Sequence, residues 1–432
     1  MKIIILIPVF TLCTLHFALA QQYGWVDLSA NIPDSNNIWK SIRDVYFIGQ
    51  EGWISGGYYP DAKIYHTSDG GQTFTSQPLP ANTLGNGMSI AMRSLQEGYF
   101  VTNNGHVLRT LDGGNSWITI GTGLGLLYSI SFPPLPDTSG YICAGSGGKV
   151  CRVTGNTVTI EYTTPATLTS IVFPVNSIEG WVCGSTVIRH RNSTGWHPDQ
   201  YYSNAEWYNA IHFADNQNGW SVGVPKYNST GTIIHTIDGF SWIFQNEPDS
   251  NNLNDVFFLN TQEGWAVGNE VIIHTTDGGI TWIKEDENLT DSILLIGVFA
   301  LNSHEVYVVG HKSFGAGVQK CLFLKYTVIT GTEDKQRSGL VLRQNQPNPF
   351  SQSTVISWQI SVGSRQSAVS SQGVIKVFNF MGKEVRTLVD EEMKPGKHQV
   401  TFDASGLPAG VYFYQIQMNG YIETNKMIFS PQ

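Results

Sequence analysis

A single phrase recurs along most of the chain, and its spacing constrains the fold more than any other feature. Each copy ends in Trp or Tyr, usually after Gly and often with Glu before the Gly. These aromatic residues stand at positions 53, 99, 141, 181, 220, 265 and 307, so successive copies are 46, 42, 40, 39, 45 and 42 residues apart. An apolar strand precedes each aromatic, and two apolar residues and a basic one follow it. Repeats of this length with four short strands predict the blades of a β-propeller, here seven.

The composition agrees with an all-β chain and excludes several classes of protein. Charged residues are 14% of the 432 residues and aromatic residues 12%, and there are 45 glycines. Disordered chains need more charge and fewer aromatic residues, and helical bundles need a different set of residues. The net charge of −9 argues against nucleic acid as a partner, because phosphate binding needs clustered Lys and Arg.

The first residues have the pattern of a secretory signal peptide. Lys2 is followed by an apolar run that ends in Ala18-Leu19-Ala20, a small-x-small exit. We therefore expect residues 1–20 to direct export to the periplasm and to be removed. No other segment is long and apolar enough to span a bilayer, so we expect no transmembrane span in the mature chain.

The cysteines of the mature chain leave two alternatives open. They are Cys143, Cys151, Cys183 and Cys321. An exported protein can form disulfides, and Cys143 and Cys151 flank a Gly-rich turn across which they could pair. The alternative is that all four are free buried thiols, because other repeats place Val or Ser at the positions of Cys143 and Cys183. Their spacings do not fit a zinc site, and we expect neither a metal nor a cofactor.

Several units close with a polar turn built around one aspartate. The four aspartates are Asp69, Asp112, Asp238 and Asp277. An Asp in such a turn accepts hydrogen bonds from following backbone N–H groups, and the glycines after it supply positive φ. We therefore predict a structural role for all four. The turns resemble the Asp-box of sialidase-type repeats, and residues 23–326 are similar to the photosystem II assembly and stability factor family. This resemblance implies a propeller fold and leaves the function open.

The last part of the chain reads as a second domain with alternating strands. Its phrases resemble the type A C-terminal sorting domain of the type IX secretion system, which implies the secretion machinery as a partner and passage to the cell surface or the medium. The residues that carry this resemblance are Pro347, Asn348, Pro349, Phe350, Gly410, Tyr412 and Lys426. We expect a signal peptide at 1–20, a seven-bladed propeller at 21–328, a linker at 329–339 and an immunoglobulin-like β-sandwich at 340–432.

Evidence for catalysis in the sequence is sparse. The Arg-Ile-Pro phrase of sialidases is absent, and there is no nucleophile elbow or phosphate-binding loop. Asp44 and Asp255 occupy equivalent positions next to the predicted axis and are the only candidates for a pair of catalytic carboxylates. A glycoside hydrolase is therefore the alternative to our main hypothesis, which is a secreted binding or scaffold protein without enzymatic activity.

Two sets of residues are candidates for binding a protein or glycan ligand. The first is a ring of basic residues, one per unit, for anions or a partner: His66, Arg109, Arg152, Arg189, His235, His274 and Lys325. The second is a group of aromatic and basic residues in the loops at the opposite face: Trp39, Arg43, Tyr58, Tyr59, Trp207, Tyr208 and Tyr227.

Overall fold

The computed structural model describes most of the chain. The described residues are 23–33, 35, 41–58, 60–145, 147–197, 200–201, 205–225, 233–246, 248, 251–285, 292–314, 318–328, 340–360, 371–379, 383–418 and 421–431. The predicted signal peptide (1–20) and linker (329–339) lie outside them. The chain divides into two compact units, one formed by Gly24–Thr327 and one that begins at Val328.

The first unit is built from short antiparallel sheets that follow one another along the chain. It opens with β1 (Tyr23–Asp27) and a 3-10 turn at Ser29–Asn31. Sheet I contains β2 (Ser41–Ile48), β3 (Glu51–Tyr58), β4 (Asp61–Thr67) and β5 (Thr75–Ser76). Sheet II contains β6 (Gly87–Met92), β7 (Gly98–Thr102), β8 (Val107–Thr110) and β9 (Ile118–Gly121). Sheet III contains β10 (Leu127–Ser131), β11 (Ser139–Ala144), β12 (Lys149–Thr154) and β13 (Thr157–Thr163).

Sheets IV to VII repeat this arrangement. Sheet IV has β14 (Leu168–Val172), β15 (Gly180–Gly184), β16 (Val187–Asn192), β17 (Gly195–Trp196) and β18 (Gln200–Tyr201); sheet V has β19 (Ala205–Phe213), β20 (Gly219–Pro225), β21 (Ile233–Thr236) and β22 (Ile243–Gln245); sheet VI has β23 (Leu253–Phe258), β24 (Gly264–Gly268), β25 (Val271–Thr275) and β26 (Ile283–Lys284); and sheet VII has β27 (Ile293–Asn302), β28 (Glu305–Ser313) and β29 (Gln319–Val328). β1 pairs with β29 and so completes sheet VII.

The sheets form a closed circle. The first strand of each sheet contacts the first strand of the next sheet, and β27 of sheet VII contacts β2 of sheet I. Because β1 joins β29, the beginning of the unit is held to its last sheet. The prediction of an all-β, propeller-like fold is confirmed.

The Gly of the repeated phrase makes room for an aromatic ring. A Cβ atom on Gly52 would lie 2.2 Å from Cε1 of Phe47, the ring that covers this glycine from the paired strand. The same arrangement recurs at Gly180 with Phe173. Sheet VII reverses the two sizes, because Val306 stands at the glycine position and pairs with Ala300 at the ring position. The two positions therefore share one volume, and close packing explains why their sizes change together.

The aromatic residue of the phrase packs one sheet against the next. Trp220 is fully buried, and its ring stacks on Phe258 of the following sheet with the centroids 3.5 Å apart. Trp181 stacks on Phe213 in the same way, at 3.8 Å. Burying rings of this size contributes a large hydrophobic term at each junction between sheets. Most of the Trp residues in the described part of the chain are therefore part of the core.

The second unit consists of two sheets that share one core. Its strands are β30 (Leu340–Leu342), β31 (Ser353–Ile360), β32 (Ser371–Asn379), β33 (Glu384–Met393), β34 (Gly396–Asp403), β35 (Gly410–Met418) and β36 (Tyr421–Phe429). One sheet has the order β30-β31-β34 and the other β33-β32-β35-β36. Trp358 of the first sheet and Ile375 and Tyr414 of the second lie in the same buried cluster. This is the sandwich that the alternating strands predict.

Candidate functional site

The basic residue of each unit lies directly opposite the repeated aromatic on the neighbouring strand. The pairs are Trp53 with His66, Tyr99 with Arg109, Tyr141 with Arg152, Trp220 with His235, Trp265 with His274 and Tyr307 with Lys325. In sheet IV the residue opposite Trp181 is His190, whereas Arg189 pairs with Val182. The assignment of Arg189 to this position was wrong by one residue. Arg189 is buried, with its guanidinium 4.5 Å from the centroid of the Tyr162 ring.

Most of these basic side chains are held by a carboxylate of their own unit. The partner is the Glu of the repeated phrase, at 2.7 Å for His66–Glu51, 2.8 Å for Arg109–Glu97, 2.6 Å for His190–Glu179 and 2.8 Å for Lys325–Glu305. His274 lies 3.4 Å from Glu263 and is held more closely by Glu285, which is 2.8 Å from its Nδ1. In sheet III, Arg152 donates instead to the Oγ of Ser139, at 2.9 Å from Nη2. The basic groups are thus engaged inside the protein, which weakens the hypothesis of a free anion-binding ring.

Sheet V departs from this arrangement. Asn218 replaces the Glu, and its side-chain amide donates to Oδ2 of Asp215 at 2.9 Å. His235 stacks on Trp220 with centroids 4.5 Å apart, and its buried Nε2 has no hydrogen-bond partner among the described residues. Burial lowers the pKa of His235, which favours the neutral imidazole. The sequence contained the signal for this difference, because Asn218 stands where five other copies have Glu.

A groove of about 410 Å³ lies between sheets V and VI, beside this histidine. His235, the outer strand β22 and the Asp turn of sheet VI line it. Four apolar side chains in its lining are largely exposed: Ile237 (68%), Ile243 (62%), Phe244 (44%) and Ile280 (79%). The sequence analysis missed this groove, which a position-by-position comparison of the repeats would have suggested.

The two axial carboxylates satisfy backbone groups of their own strand and of the next sheet. Oδ1 of Asp44 accepts the N–H of Val45, and its Oδ2 accepts the N–H of Ile90, both at 2.8 Å. Oδ1 of Asp255 accepts the N–H of Val256 at 2.9 Å, and its Oδ2 accepts the N–H of Val298 at 2.8 Å. In sheet II a serine stands at this position and accepts a backbone N–H of the next sheet: Ser89 Oγ accepts the N–H of Ile130 at 3.3 Å.

The placement of these two aspartates has a physical explanation. The preceding sheets carry Ala210 and Gly297 at the equivalent position, and neither side chain can accept a hydrogen bond from the next sheet. The N–H groups of Val45 and Val256 therefore lack an acceptor in the preceding sheet. Asp44 and Asp255 supply it, because each aspartate has one oxygen for the N–H of the following residue and a second oxygen for the next sheet. Burial raises the pKa of Asp44 to about 6 and that of Asp255 to about 8. All four carboxyl oxygens have a structural partner, so the geometry gives no support to paired catalytic carboxylates.

Every first strand contains a β-bulge at the same place. The bulged residues are Arg43, Met88, Tyr128, Thr169, Asn209, Asn254 and Ile296. Three of them donate to carbonyl groups of the next sheet: Thr169 to Tyr208, Asn209 to Leu253 and Asn254 to Leu295. A bulge reorients a side chain, and here it serves contacts between sheets. Sequence reasoning missed the bulges, since they do not change the pattern of residue types.

The predicted aromatic binding face is only partly within the described residues. Trp39, Tyr59, Tyr227 and the side chain of Tyr58 lie outside them. Arg43 is half-buried at its bulge, and burial lowers its pKa. Trp207 is also half-buried, whereas Tyr208 is completely buried. Tyr208 was therefore wrongly predicted as an exposed contact, because successive residues of a strand point to opposite faces.

The Asp turns hold themselves together and accept a bond from the preceding sheet. Asp112 accepts the N–H of Ser116 at 2.8 Å and the hydroxyl of Thr110 at 2.8 Å. Asp69, Asp238 and Asp277 make the corresponding bonds to the Thr two residues before and to the backbone after them. The carbonyl oxygen of Gly113 accepts the indole N–H of Trp53 at 3.1 Å. These contacts support a structural role for the four aspartates.

The phrases of the predicted sorting signal meet in the second unit. Phe350 is buried against Phe429, and its N–H donates to the carbonyl of Ile428 at 3.0 Å. Oδ1 of Asn348 accepts the N–H of Ile428 at 2.9 Å. The remaining contacts are Pro347 O with Thr354 Oγ1, Tyr412 OH with Pro408 O, Asn348 Nδ2 with Lys426 O, and the pairing of Gly410 with Phe429. Pro349 lies between Asn348 and Phe350 in this segment.

The cysteines and the other metal-ligating residues form no further site within the described part of the chain. Cys143, Cys151, Cys183 and Cys321 are all buried free thiols. No group of three or more His, Cys, Asp or Glu side chains in that part is placed to hold a metal ion. None of its helices has the length and apolar character that crossing a membrane requires.

Two segments of the chain match known families. Residues 346–430 match the family described as Secretion system C-terminal sorting domain, and residues 22–131 match Photosynthesis system II assembly factor YCF48. Photosystem II assembly lipoprotein Ycf48 of Synechococcus sp. (strain CC9902) is 36% identical over 93 residues, which cover 22% of this chain and 26% of that relative. The match thus spans about a quarter of that relative's length. Photosystem II stability/assembly factor HCF136, chloroplastic, of Oryza sativa subsp. japonica is 22% identical over 304 residues, 66% of this chain and 69% of that protein.

Solved structures show the same fold. The structure of YCF48 bound to D1 peptide has a TM-score of 0.54 at 18% identity and covers 71% of this chain and 96% of that one. YCF48 from Cyanidioschyzon merolae gives 0.52 at 15%, covering 70% and 99%, and the Pan2 WD40 domain of Neurospora crassa gives 0.51 at 10%, covering 71% and 96%. The chain thus combines a propeller-like region similar to YCF48 with a secretion-system sorting domain. The sorting domain indicates a secreted or cell-surface protein.

Proposed function

We propose that this chain is a protein-binding scaffold that the type IX secretion system exports to the cell surface or the medium. The match of residues 346–430 to the sorting-domain family carries the proposal of the route. In this scheme residues 1–20 direct passage to the periplasm, and the second unit is the part that the secretion machinery recognises. The propeller-like unit is then the cargo that acts outside the cell.

Binding is favoured over catalysis by the state of the charged groups in the propeller-like unit. The carboxyl oxygens of Asp44 and Asp255 accept backbone N–H groups, and most basic residues of the ring pair with a Glu. YCF48, whose structure is similar, was solved bound to D1 peptide, so one propeller of this fold holds a peptide. A photosystem partner does not transfer to this chain, because its sorting domain directs it to another compartment.

Deletion of residues 340–432 tests the proposed route. In cells with a type IX secretion system, we expect the full chain at the surface or in the medium and the truncated chain in the periplasm. A full-length variant with the exposed Lys397 replaced by Ala is the control and should be exported normally. Cell fractionation with immunoblotting measures the distribution. Unchanged surface delivery of the truncated chain would contradict the proposed role of the second unit.

A further inference from the structure

The groove between sheets V and VI gathers four largely exposed apolar side chains among polar ones. Ile243 and Phe244 stand on β22, and Ile280 stands on the Asp turn of sheet VI. Exposed apolar residues that stand singly need no explanation, whereas a contiguous group beside a cavity of ligand size marks an interaction site.

The junction between sheets I and II shows that the fold itself does not require these side chains. The hydrogen bonds that join the two sheets are the same at both junctions. Between sheets I and II, Gln77 accepts the indole N–H of Trp117 and donates to the carbonyl oxygen of Gly113. Between sheets V and VI, Gln245 makes the same two bonds with Trp282 and Gly278. The positions of Ile243, Phe244 and Ile280 are taken there by Thr75, Ser76 and Asn115, all of them exposed. Polar residues thus suffice for the junction, and the apolar ones between sheets V and VI call for a covering partner.

The histidine of the groove lacks the carboxylate that its counterparts have. His66 and His190 each have a Glu at 2.6–2.7 Å from Nε2, and His274 has Glu285 at 2.8 Å from Nδ1. In sheet V the shorter Asn218 is bound to Asp215, and the buried Nε2 of His235 has no hydrogen-bond partner among the described residues. The other charged residue in the lining, Asp277, accepts bonds from Thr275 and Thr281 within its own turn. The unpaired Nε2 of His235 therefore needs a hydrogen-bond partner from the ligand, and the group that has this place in the other sheets is a carboxylate.

The edge of sheet V offers main-chain groups to the same ligand. β22 is the outermost strand of its sheet, and no other described strand pairs with its free edge. Extended peptides bind such edges through backbone hydrogen bonds and place alternate side chains in neighbouring pockets.

We propose that the groove between sheets V and VI binds an extended peptide segment with apolar side chains and one carboxylate. The apolar side chains cover Ile243, Phe244 and Ile280, and the carboxylate pairs with His235 in the role that Glu has in other sheets. This inference rests on the proposed function of the chain as a protein-binding scaffold and assigns its binding site.

Selection from a phage library of random dodecapeptides on the full-length protein tests the site. We expect enrichment of peptides with apolar residues next to Asp or Glu. Fluorescence anisotropy with the synthetic peptides then compares the wild type with Ile243→Thr/Phe244→Ser/Ile280→Asn, which copies the junction of sheets I and II. We expect the dissociation constant to rise at least about tenfold. The matched control is Ile118→Thr, since Ile118 holds the position of Ile243 in sheet II, and its affinity should not change.

A second variant tests the carboxylate. Asn218→Glu gives His235 an internal partner, as in five other sheets, and should abolish the preference for an acidic peptide over its amide analogue. Selected peptides that bind the triple variant with unchanged affinity would overturn the site and leave the scaffold function standing. Selected peptides without acidic residues would overturn the role of His235. If no peptide is enriched on the wild type, the scaffold function itself fails for peptide partners. Thermal unfolding verifies that each variant is folded. If the triple variant does not fold, the single variant Ile280→Asn is measured in its place.

Discussion

Trp220 donates its indole N–H to the carbonyl oxygen of Gly278 in the next sheet at 3.1 Å. This bond attaches the Asp turn of sheet VI to sheet V. Trp265 holds the same position in sheet VI, but its buried Nε1 has no hydrogen-bond partner among the described residues. The reason lies in the sequence, because no Asp turn follows Lys325-Tyr326 in sheet VII.

Replacing these two tryptophans by Phe should therefore have unequal effects. Both substitutions shorten a buried ring, but only Trp220→Phe breaks a hydrogen bond. We expect Trp220→Phe to lower the free energy of unfolding by about 1 kcal/mol more than Trp265→Phe. Equilibrium unfolding in urea, followed by fluorescence of the other tryptophans, measures the difference. Equal losses at the two positions would show that the indole bond contributes nothing.

The exchange of sizes between Gly264 and Phe258 can be tested by a double-mutant cycle. A Cβ atom on Gly264 would lie 2.5 Å from Cδ1 of Phe258, so Gly264→Val overpacks the site and should cost about 1–3 kcal/mol. Phe258→Ala alone leaves a cavity. The double variant copies the pair Val306 and Ala300 of sheet VII. We expect its loss in the free energy of unfolding to be smaller than the sum of the two single losses by about 1 kcal/mol or more. Additive free energies would contradict the shared volume.

The Asp turn of sheet II depends on the hydroxyl of Thr110. This buried hydroxyl donates to Asp112 and accepts the N–H of Gly114 at 2.8 Å. Thr110→Val keeps the shape but leaves buried groups unpaired, so we expect a loss of about 1–3 kcal/mol in the free energy of unfolding. Thr157→Val on an exposed strand position is the control. A loss no larger than that of the control would argue against the turn as a stabilising element.

Stability should vary with pH in two opposite directions. Asp44 and Asp255 have raised pKa values, so the native chain keeps protons that the unfolded chain releases near pH 4. Their contribution to stability therefore falls as the pH rises from about 4 to about 8. The backbone N–H groups of Ser241 and Phe240 lower the pKa of Asp238 to about 2, so its contribution is lost as the pH falls below about 4.

We accordingly expect the highest melting temperature in mildly acidic solution. Thermal unfolding between about pH 3 and pH 9 measures the profile. In the variant Asp44→Asn/Asp255→Asn the decline towards alkaline pH should flatten, because the amides do not titrate. A control with Asp390→Asn, an exposed carboxyl of the second unit, should keep the decline. If the melting temperature of Asp44→Asn/Asp255→Asn still declined towards alkaline pH as steeply as that of the wild type, other groups would be the cause of the decline.

The sequence allowed the architecture to be predicted because the determinants of each sheet are local. Aromatic residues at intervals near 42 and the Asp turns identify the repeating unit, and alternating strands identify the sandwich. The partners of the charged groups were less accessible. His190 and Arg189 are adjacent and both basic, and only the pairing of β15 with β16 places His190 opposite Trp181. Tyr208 failed as a candidate for a similar reason, since its neighbour Trp207 has the same residue class and the other orientation.

The amino-acid sequence by itself determined that this protein is a repeated β structure followed by a sorting domain, because spacing, glycine positions and turn residues act within a unit. The tertiary structure decided which groups remain available for binding. Trp220 and Gly278 are 58 residues apart in sequence, and Asp44 and Ile90 are 46 apart. Hydrogen bonds across such distances form only when the circle closes. The same closure brings β22 beside the Asp turn of sheet VI and leaves His235 in a groove without the Glu partner that His66 and His190 have.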